Sequence, residues 1–166
     1  VLRGNPGTKL LLARDQLDDW QQRRLRALFL QHGIAGERLE MRHLIDPTQS
    51  FFSLFAEFDI LLDTYPWSGH TLACCALWMG VPVVSLHGTS HARRMVTSVL
   101  HLLELDELAA MDEDSYVRIA TELSKDQARL VRYRAELRGR FRQSKLRDEV
   151  GFTRTFEEAI LGVCVV

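Results

Sequence analysis

A glycine, a histidine and a threonine follow one another at positions 69–71, between two stretches of apolar residues. The imidazole N–H of His70 and the hydroxyl of Thr71 can both donate hydrogen bonds to an anion such as a diphosphate. Both residues stand at the predicted start of a helix, where unpaired backbone N–H groups and the helix dipole favour the same ligand. Gly69 would let the backbone approach an anion with no side chain in the way. We therefore predict that these three residues bind a diphosphate; the alternative is that His70 makes ordinary surface hydrogen bonds.

The segments around this loop have the pattern of a parallel α/β unit. The apolar run 60–62 predicts a buried strand, and a helix is expected from His70 to about Met79. Gly80 closes that helix, and Val83–Leu86 predicts a second buried strand. In open α/β sheets, ligands bind outside the carboxyl ends of the strands. The loop is thus predicted to lie at the ligand-binding edge of a sheet.

Several other side chains at this edge form a possible secondary site. The two polar residues that end the first strand could serve a site or cap a turn, and the tryptophan near them could stack on a base or sugar or pack on its own loop. A second polar loop follows the next strand and could reach a phosphate or an acceptor, although its arginine could instead only solvate a helix. One helical cysteine completes the set. The secondary candidates are Asp63, Thr64, Trp67, Cys75, His87, Ser90, His91 and Arg94.

Strand and helix patterns alternate along the rest of the chain. Further strands are predicted at 9–13 and 39–42, and further helices at 17–31, 51–57, 92–103, 114–124, 126–143 and 152–161. This alternation indicates an α/β fold, a Rossmann-like, doubly wound parallel sheet with helices on both faces. We expect one domain over residues 1–166, because no internal repeat or low-complexity linker interrupts the pattern.

Composition narrows the function classes further. The hydrophobic content of 46% excludes a disordered chain, and a net charge of −1 gives no indication of a nucleic-acid partner. The basic segment 129–147 is attributed to a solvated helix face. No apolar run reaches the ~18 residues of a membrane span, and the amino terminus has no signal-peptide pattern. We expect a soluble, cytoplasmic protein that contacts neither nucleic acid nor membrane.

The three cysteines suggest neither a disulfide framework nor a metal site. Cys74 and Cys75 are adjacent on a predicted helix, so their side chains diverge by about 100° and cannot chelate one ion. Reduced, largely buried thiols are expected, with no metal, and His43 is assigned a structural role. A Gly-x-Ser-x-Gly elbow and a Gly-x-Gly-x-x-Gly loop are both missing from the sequence, which argues against a serine hydrolase and against dinucleotide binding.

Two spaced motifs resemble one family closely. Asp-Thr-x-Pro-x-x-Gly-His-Thr at 63–71 and Ala-Leu-Trp-x-Gly-Val-Pro-Val-Val at 76–84 are similar to the O-GlcNAc transferase and SPINDLY family of inverting glycosyltransferases. That family has a two-lobed GT-B fold and is often fused to tetratricopeptide repeats. The resemblance extends over nearly the whole chain and implies its C-terminal lobe, which holds most nucleotide-sugar contacts. It also implies a metal-free UDP-GlcNAc-type donor without a cofactor, a protein hydroxyl as acceptor, and an N-terminal lobe of the same polypeptide as partner.

The chain departs from the family pattern at three places. Leu72 replaces a second threonine after the Gly-His-Thr loop, and Cys75 replaces a carboxylate that suits the ribose hydroxyls. The family's lysine near the nucleobase should fall around residues 46–49, where no lysine occurs. A lost hydrogen bond to a charged group costs about 1.5–3 kcal/mol. The alternative is therefore a non-catalytic nucleotide-binding or protein-interaction module with a degenerate donor site.

Overall fold

The computed structural model describes residues 1–14, 17–42 and 51–164. Within these ranges, strands and helices alternate through most of the chain. The strands are β1 (Leu10–Ala13), β2 (Leu39–Arg42), β3 (Leu61–Leu62), β4 (Val83–Leu86) and β5 (Ala109–Ala110). The α-helices are α1 (Asp19–Gln31), α2 (His70–Trp78), α3 (His91–Leu102), α4 (Glu113–Leu123), α5 (Gln127–Gln143) and α6 (Glu149–Cys164).

All strand pairs of the described residues are parallel, which confirms the predicted α/β class. They form two groups: β1 pairs with β2, and β4 lies between β3 and β5. Helix α2 connects β3 to β4 and α3 connects β4 to β5, so the second group consists of two successive βαβ units. The carboxyl ends of β3 and β4 therefore lie side by side, as the sequence predicted.

The amino-terminal segment links the first strand pair to the rest of the fold. The guanidinium of Arg38 donates hydrogen bonds to the backbone carbonyls of Leu2, Asn5 and Thr8 at 2.7–2.9 Å. The side-chain amide of Asn5 in turn donates to the Ser124 carbonyl at 3.0 Å. Residues 1–8 thus fasten the β1–β2 pair to the end of α4.

The core surrounds the second strand group. Helix α2 buries Ala73, Ala76 and Leu77, which are spaced for one helix face, against strand β4. The buried residues Val96, Leu100, Leu123, Leu130 and Leu137 from α3, α4 and α5 complete the cluster. Because one face of α2 is anchored in this core, its amino-terminal end has a defined position at the edge of the strands.

Glycine residues end α1 and α2 in left-handed backbone conformations. Gly33 after α1 has a φ of 74° and Gly80 after α2 a φ of 82°, values that favour glycine. At Gly80, the N–H groups of residues 80 and 81 donate to the carbonyls of Leu77 and Ala76, which satisfies the free carbonyls of the last turn. The predicted ends of both helices are confirmed.

Some local predictions differ from the structure. Residues 51–56 form a 3-10 helix and not an α-helix, and of its three phenylalanines only Phe55 is buried, at 1% exposure. Strand β5 was not predicted, because two alanines carry no strand signal. Arg134 on α5 does more than solvate its helix, since it donates to the carbonyls of Phe55 and Phe58 at 2.8 Å each.

Candidate functional site

The side chain of Asp63, directly after β3, organises the predicted phosphate loop. Asp63 is 8% exposed, and Oδ2 of its carboxylate accepts hydrogen bonds from Ser68 Oγ at 2.7 Å and from Ser85 Oγ at 2.6 Å. The other oxygen, Oδ1, accepts from the backbone N–H of Gly69 at 2.8 Å. Both carboxylate oxygens are thus engaged within the protein, so the geometry favours the turn-capping interpretation of Asp63.

The first turn of α2 has free donors. Gly69 is the N-cap residue, with a φ of −84°, and its N–H is held by Asp63 while the His70 N–H donates to the Ser68 carbonyl at 3.1 Å. In the described part of the chain, the backbone N–H groups of Thr71 and Leu72 have no acceptor. Two of the four donors that a helix start leaves unpaired therefore remain available to a ligand.

The side chains of His70 and Thr71 lie at the same helix start and are exposed. Within the described residues neither side chain has a hydrogen-bond partner. Together with the two free N–H groups they give four donors at the positive end of the α2 dipole. The structure thus confirms that His70 and Thr71 stand at a helix start, and their binding of a diphosphate stays a prediction. Gly69 does not need its glycine for a left-handed conformation.

The second polar loop, after β4, contains the next group of candidates. His87 is half-buried, with Nδ1 3.2 Å from the hydroxyl of Thr97. Ser90 is the N-cap residue of α3, but its side chain makes no capping hydrogen bond, and His91 begins the helix with an exposed side chain. Arg94 is exposed and lies 3.4 Å from the carbonyl of Thr89. These side chains lie at the carboxyl end of β4 and make fewer hydrogen bonds than Asp63 makes at the end of β3.

The loop after β3 contacts helix α3 in ways that the sequence did not suggest. Ser68 donates its backbone N–H to the Ala92 carbonyl at 3.1 Å, and its hydroxyl accepts from the Val96 N–H at 3.2 Å. The guanidinium of Arg93 lies 4.9 Å from the ring centroid of Tyr65, a cation–π contact. The loop after β3 is thus fastened to the first turns of α3, the helix that follows the second polar loop. Ser68 and Ser85 carried no motif signal that could have identified them.

Tyr116 on α4 completes the support of the loop. Its hydroxyl donates to the backbone carbonyl of Asp63 at 2.9 Å. Burial raises the pKa of Tyr116, and the charge of the Asp63 carboxylate raises it further. The hydroxyl therefore stays protonated and keeps donating across the ordinary pH range.

The remaining candidates on the first loop and on α2 differ in their surroundings. The hydroxyl of Thr64 donates to the Trp67 carbonyl at 2.9 Å and closes the turn, and the indole of Trp67 is 69% exposed. Cys75 is half-buried and packs against the core, one turn beyond Thr71, whereas the side chain of Leu72 is 39% exposed. Neither side chain supplies a strong hydrogen-bonding group beside the helix start.

The remaining predictions concern His43, the lysine sought at positions 46–49, a metal site and a membrane span. His43 and the positions 46–49, where the family's lysine was sought, lie outside the described residues. The described ranges contain no cluster of three histidine, cysteine, aspartate or glutamate side chains that could hold a metal ion. Over the same ranges no helix has the length and apolar character of a membrane span.

Parallel βαβ units with free N–H donors at the carboxyl edge define a Rossmann-like domain, the class of fold that nucleotide-dependent enzymes use. The family model of glycosyl transferase family 41 matches residues 25–156. The chain belongs to this family.

The relatives agree on the O-GlcNAc transferase type. Over 158 residues, 95% of the chain, it is 34% identical to a probable UDP-N-acetylglucosamine–peptide N-acetylglucosaminyltransferase SPINDLY of Solanum lycopersicum. A UDP-N-acetylglucosamine–peptide N-acetylglucosaminyltransferase of Caenorhabditis elegans is 39% identical over 79 residues, 48% of the chain and 7% of that protein. The structure of a mutant O-GlcNAc transferase from Thermobaculum terrenum superposes with a TM-score of 0.86 at 35% identity.

The chain corresponds to a part of these proteins. It spans 17% of the tomato relative, and the superposition covers 96% of the chain but 31% of the Thermobaculum protein. Fold and family are therefore those of an O-GlcNAc-transferase-type glycosyltransferase with a GT-B-like fold, as the motifs at 63–71 and 76–84 predicted.

Proposed function

We propose that this chain is the nucleotide-sugar-binding C-terminal lobe of a protein O-glycosyltransferase that uses a UDP-GlcNAc-type donor. The observation that carries the proposal is the start of α2. There, the N–H groups of Thr71 and Leu72 lack acceptors among the described residues, and the side chains of His70 and Thr71 are exposed beside them. A diphosphate would accept from all four donors.

The chemistry of sugar transfer explains why such donors are needed. The hydroxyl oxygen of the acceptor forms a bond to the anomeric carbon of the sugar while the bond to the diphosphate breaks. Negative charge then builds up on the departing diphosphate. Donors that are already in place stabilise this charge without reorganisation, which is commonly the largest contribution to catalysis. In this chain, His70, Thr71 and the backbone of α2 would supply them.

The donor and the partners are proposed from the relatives and from the surface. The matched plant and nematode proteins carry UDP-N-acetylglucosamine and peptide in their names, which supports a UDP-GlcNAc donor and a protein acceptor. Helix α6 exposes apolar side chains, among them Phe152 at 69% and Val163 at 80%. Such exposure supports a partner surface, for which we propose the N-terminal lobe of the same polypeptide. That lobe would also contribute to the acceptor site and supply the base.

A second candidate function is a binding module without transferase activity. The observation in its favour is the surroundings of Cys75, which packs against the core where the family has a ribose-binding carboxylate. A thiol is a weak hydrogen-bond partner, and Leu72 adds no hydroxyl. Such a module would keep the fold and the loop but bind the nucleotide weakly.

Calorimetric titration of UDP and GDP into the 166-residue protein tests the proposal. The variant His70→Ala should weaken UDP binding by about 1.5–3 kcal/mol, roughly 10- to 150-fold, because a hydrogen bond to a charged group is lost. The matched control is His101→Ala. His101 is also an exposed helical histidine, but it lies in the last turn of α3, away from the start of α2. Unchanged UDP affinity in His70→Ala would show that the loop is not the phosphate site.

A transfer assay and one further variant separate the two candidate functions. The chain alone should transfer no sugar to peptide, because it lacks the partner lobe that we propose; robust transfer would contradict this. The variant Cys75→Glu should strengthen UDP binding if the ribose contact is what the chain lacks. If Cys75→Glu leaves a weak affinity unchanged while the chain stays folded, the non-catalytic module is favoured.

A further inference from the structure

Every polar group of Asp63 has a partner from the surrounding elements. Its backbone N–H donates to the Val84 carbonyl at 2.9 Å, and its carbonyl accepts from Tyr116 at 2.9 Å. Its carboxylate holds Ser68, Ser85 and Gly69 at 2.6–2.8 Å. One buried residue thus connects β4, α4 and the loop that leads into α2.

Ser68 extends this network to α3. It lies between the carboxylate on one side and the backbone of Ala92 and Val96 on the other. Of the six residues between Asp63 and α2, the four at 64–67 are exposed, with Tyr65 at 50% and Trp67 at 69%. The course of the loop into α2 therefore depends on the carboxylate and on Ser68 more than on apolar packing of the loop, while the core holds the buried face of the helix itself.

The bond from Gly69 also determines which donors remain for a ligand. At a helix start the first N–H groups have no partner within the helix. Asp63 takes the Gly69 N–H, and the Ser68 carbonyl takes that of His70. The N–H groups of Thr71 and Leu72 are the next in order, and in the described residues they stay unpaired. The carboxylate thereby withdraws the Gly69 N–H from a ligand and holds the residue that precedes the remaining donors.

We infer that Asp63 is a positioning residue for diphosphate binding, acting through Gly69 and Ser68 and not by contact with the ligand. The inference rests on the proposed function, because it presupposes that α2 binds the diphosphate of a nucleotide. Asp63 is 8% exposed and its carboxylate already accepts three hydrogen bonds within the protein, so it is shielded from a substrate, which distinguishes this role from that of a general base.

The charge of Asp63 makes the inference testable by the sign of an effect. A carboxylate near the start of α2 repels a bound diphosphate, so its removal strengthens binding if electrostatic repulsion is all that changes. If positioning dominates, removal weakens binding, because the loop and its donors lose their anchor. The two explanations predict opposite changes in UDP affinity.

The experiment compares UDP with uridine, which lacks phosphates, by titration of the 166-residue chain. In Asp63→Ala we expect UDP affinity to fall at least ~10-fold and uridine affinity to change less than ~2-fold, as for loss of donors that contact only phosphate. The matched control is Val99→Ala, since Val99 is a buried apolar residue of α3 that, within the described residues, contacts no member of the Asp63 network through a hydrogen bond. It should lower the thermal midpoint without changing UDP affinity at temperatures where the chain is folded.

A second variant covers the case in which Asp63→Ala does not fold. Asp63→Asn keeps the volume and one oxygen for the Gly69 N–H, but its amide nitrogen cannot accept from the hydroxyls of Ser68 and Ser85, so the anchor weakens and UDP affinity should fall by about 2- to 5-fold. Unchanged or tighter UDP binding in a folded variant, or an equal loss for uridine, would overturn the inference. If His70→Ala weakens UDP binding and the Asp63 variants do not, only this inference fails. If the parent chain does not bind UDP, the proposed function fails first.

Discussion

The contact between Gly80 and helix α5 allows a sharp test of how α2 is held in place. Gly80 has a φ of 82°, and a Cβ added there would lie 2.7 Å from the Arg134 carbonyl oxygen and 3.1 Å from the Arg134 Cα. Both contacts are with the backbone of α5, which cannot rotate away like a flexible side chain. The variant Gly80→Ala therefore forces α2 and α5 apart.

Gly33 provides the matched control for Gly80→Ala. It also follows a helix, with a φ of 74°, but nothing lies within 4 Å of the position its Cβ would take. Gly33→Ala should therefore cost the left-handed backbone strain alone, about 1–2 kcal/mol of unfolding free energy. Gly80→Ala adds the cost of overpacking, about 1–3 kcal/mol, for a total of roughly 2–5 kcal/mol.

Urea denaturation of the parent chain and both variants measures the difference. With a urea m value of about 1–3 kcal/mol/M, Gly80→Ala should lower the midpoint clearly further than Gly33→Ala. Equal losses in the two variants would refute the reasoning, because they would show that α5 moves away from Gly80 at no cost. A larger m value in Gly80→Ala alone would point instead to a change in the compactness of the folded or unfolded state.

Two further predictions follow from pKa changes. Burial, together with the hydrogen bond to Glu107, raises the pKa of Tyr133 to about 12. The unfolded chain, with a tyrosine pKa of about 10, loses this proton first, so the free energy of unfolding should fall as the pH rises from about 10 to 12. Over this pH range the urea midpoint should fall less steeply in Tyr133→Phe than in the parent chain. An equal slope would contradict the raised pKa of Tyr133. Burial and the neighbouring Cys75 raise the pKa of Cys74, and only the thiolate reacts with iodoacetamide. Labelling of Cys74, measured by mass spectrometry, should therefore be slower in the folded chain than in urea. Equal labelling rates would contradict the raised pKa.

Local sequence signals were sufficient for most elements. The strands at 39–42 and 83–86 have the predicted bounds, and the starts and ends of α1 and α5 were placed within two residues. Such signals are short-range: Gly33 and Gly80 stop helices through their own backbone preferences, and Asp126 caps α5 with its own side chain. The 3-10 helix at 51–56 and strand β5 were misjudged because their form depends on neighbours distant in sequence.

The motifs at 63–71 and 76–84 together identified the family, and the first of them placed a loop before a helix, since proline fixes its φ and glycine adopts conformations that other residues disfavour. It also singled out His70 and Thr71 as possible donors. The sequence could not show which N–H groups at the helix start stay free, because that depends on which hydrogen-bond acceptors lie beside them in the folded chain. Asp63, Ser85 and Tyr116 meet across separations of 22 and 53 residues, and only the packing of β4 and α4 brings them together. The tertiary structure therefore decided that Asp63 holds the loop and that Thr71 and Leu72 offer their N–H groups, because hydrogen-bond partners distant in the chain are chosen by packing and not by local preference.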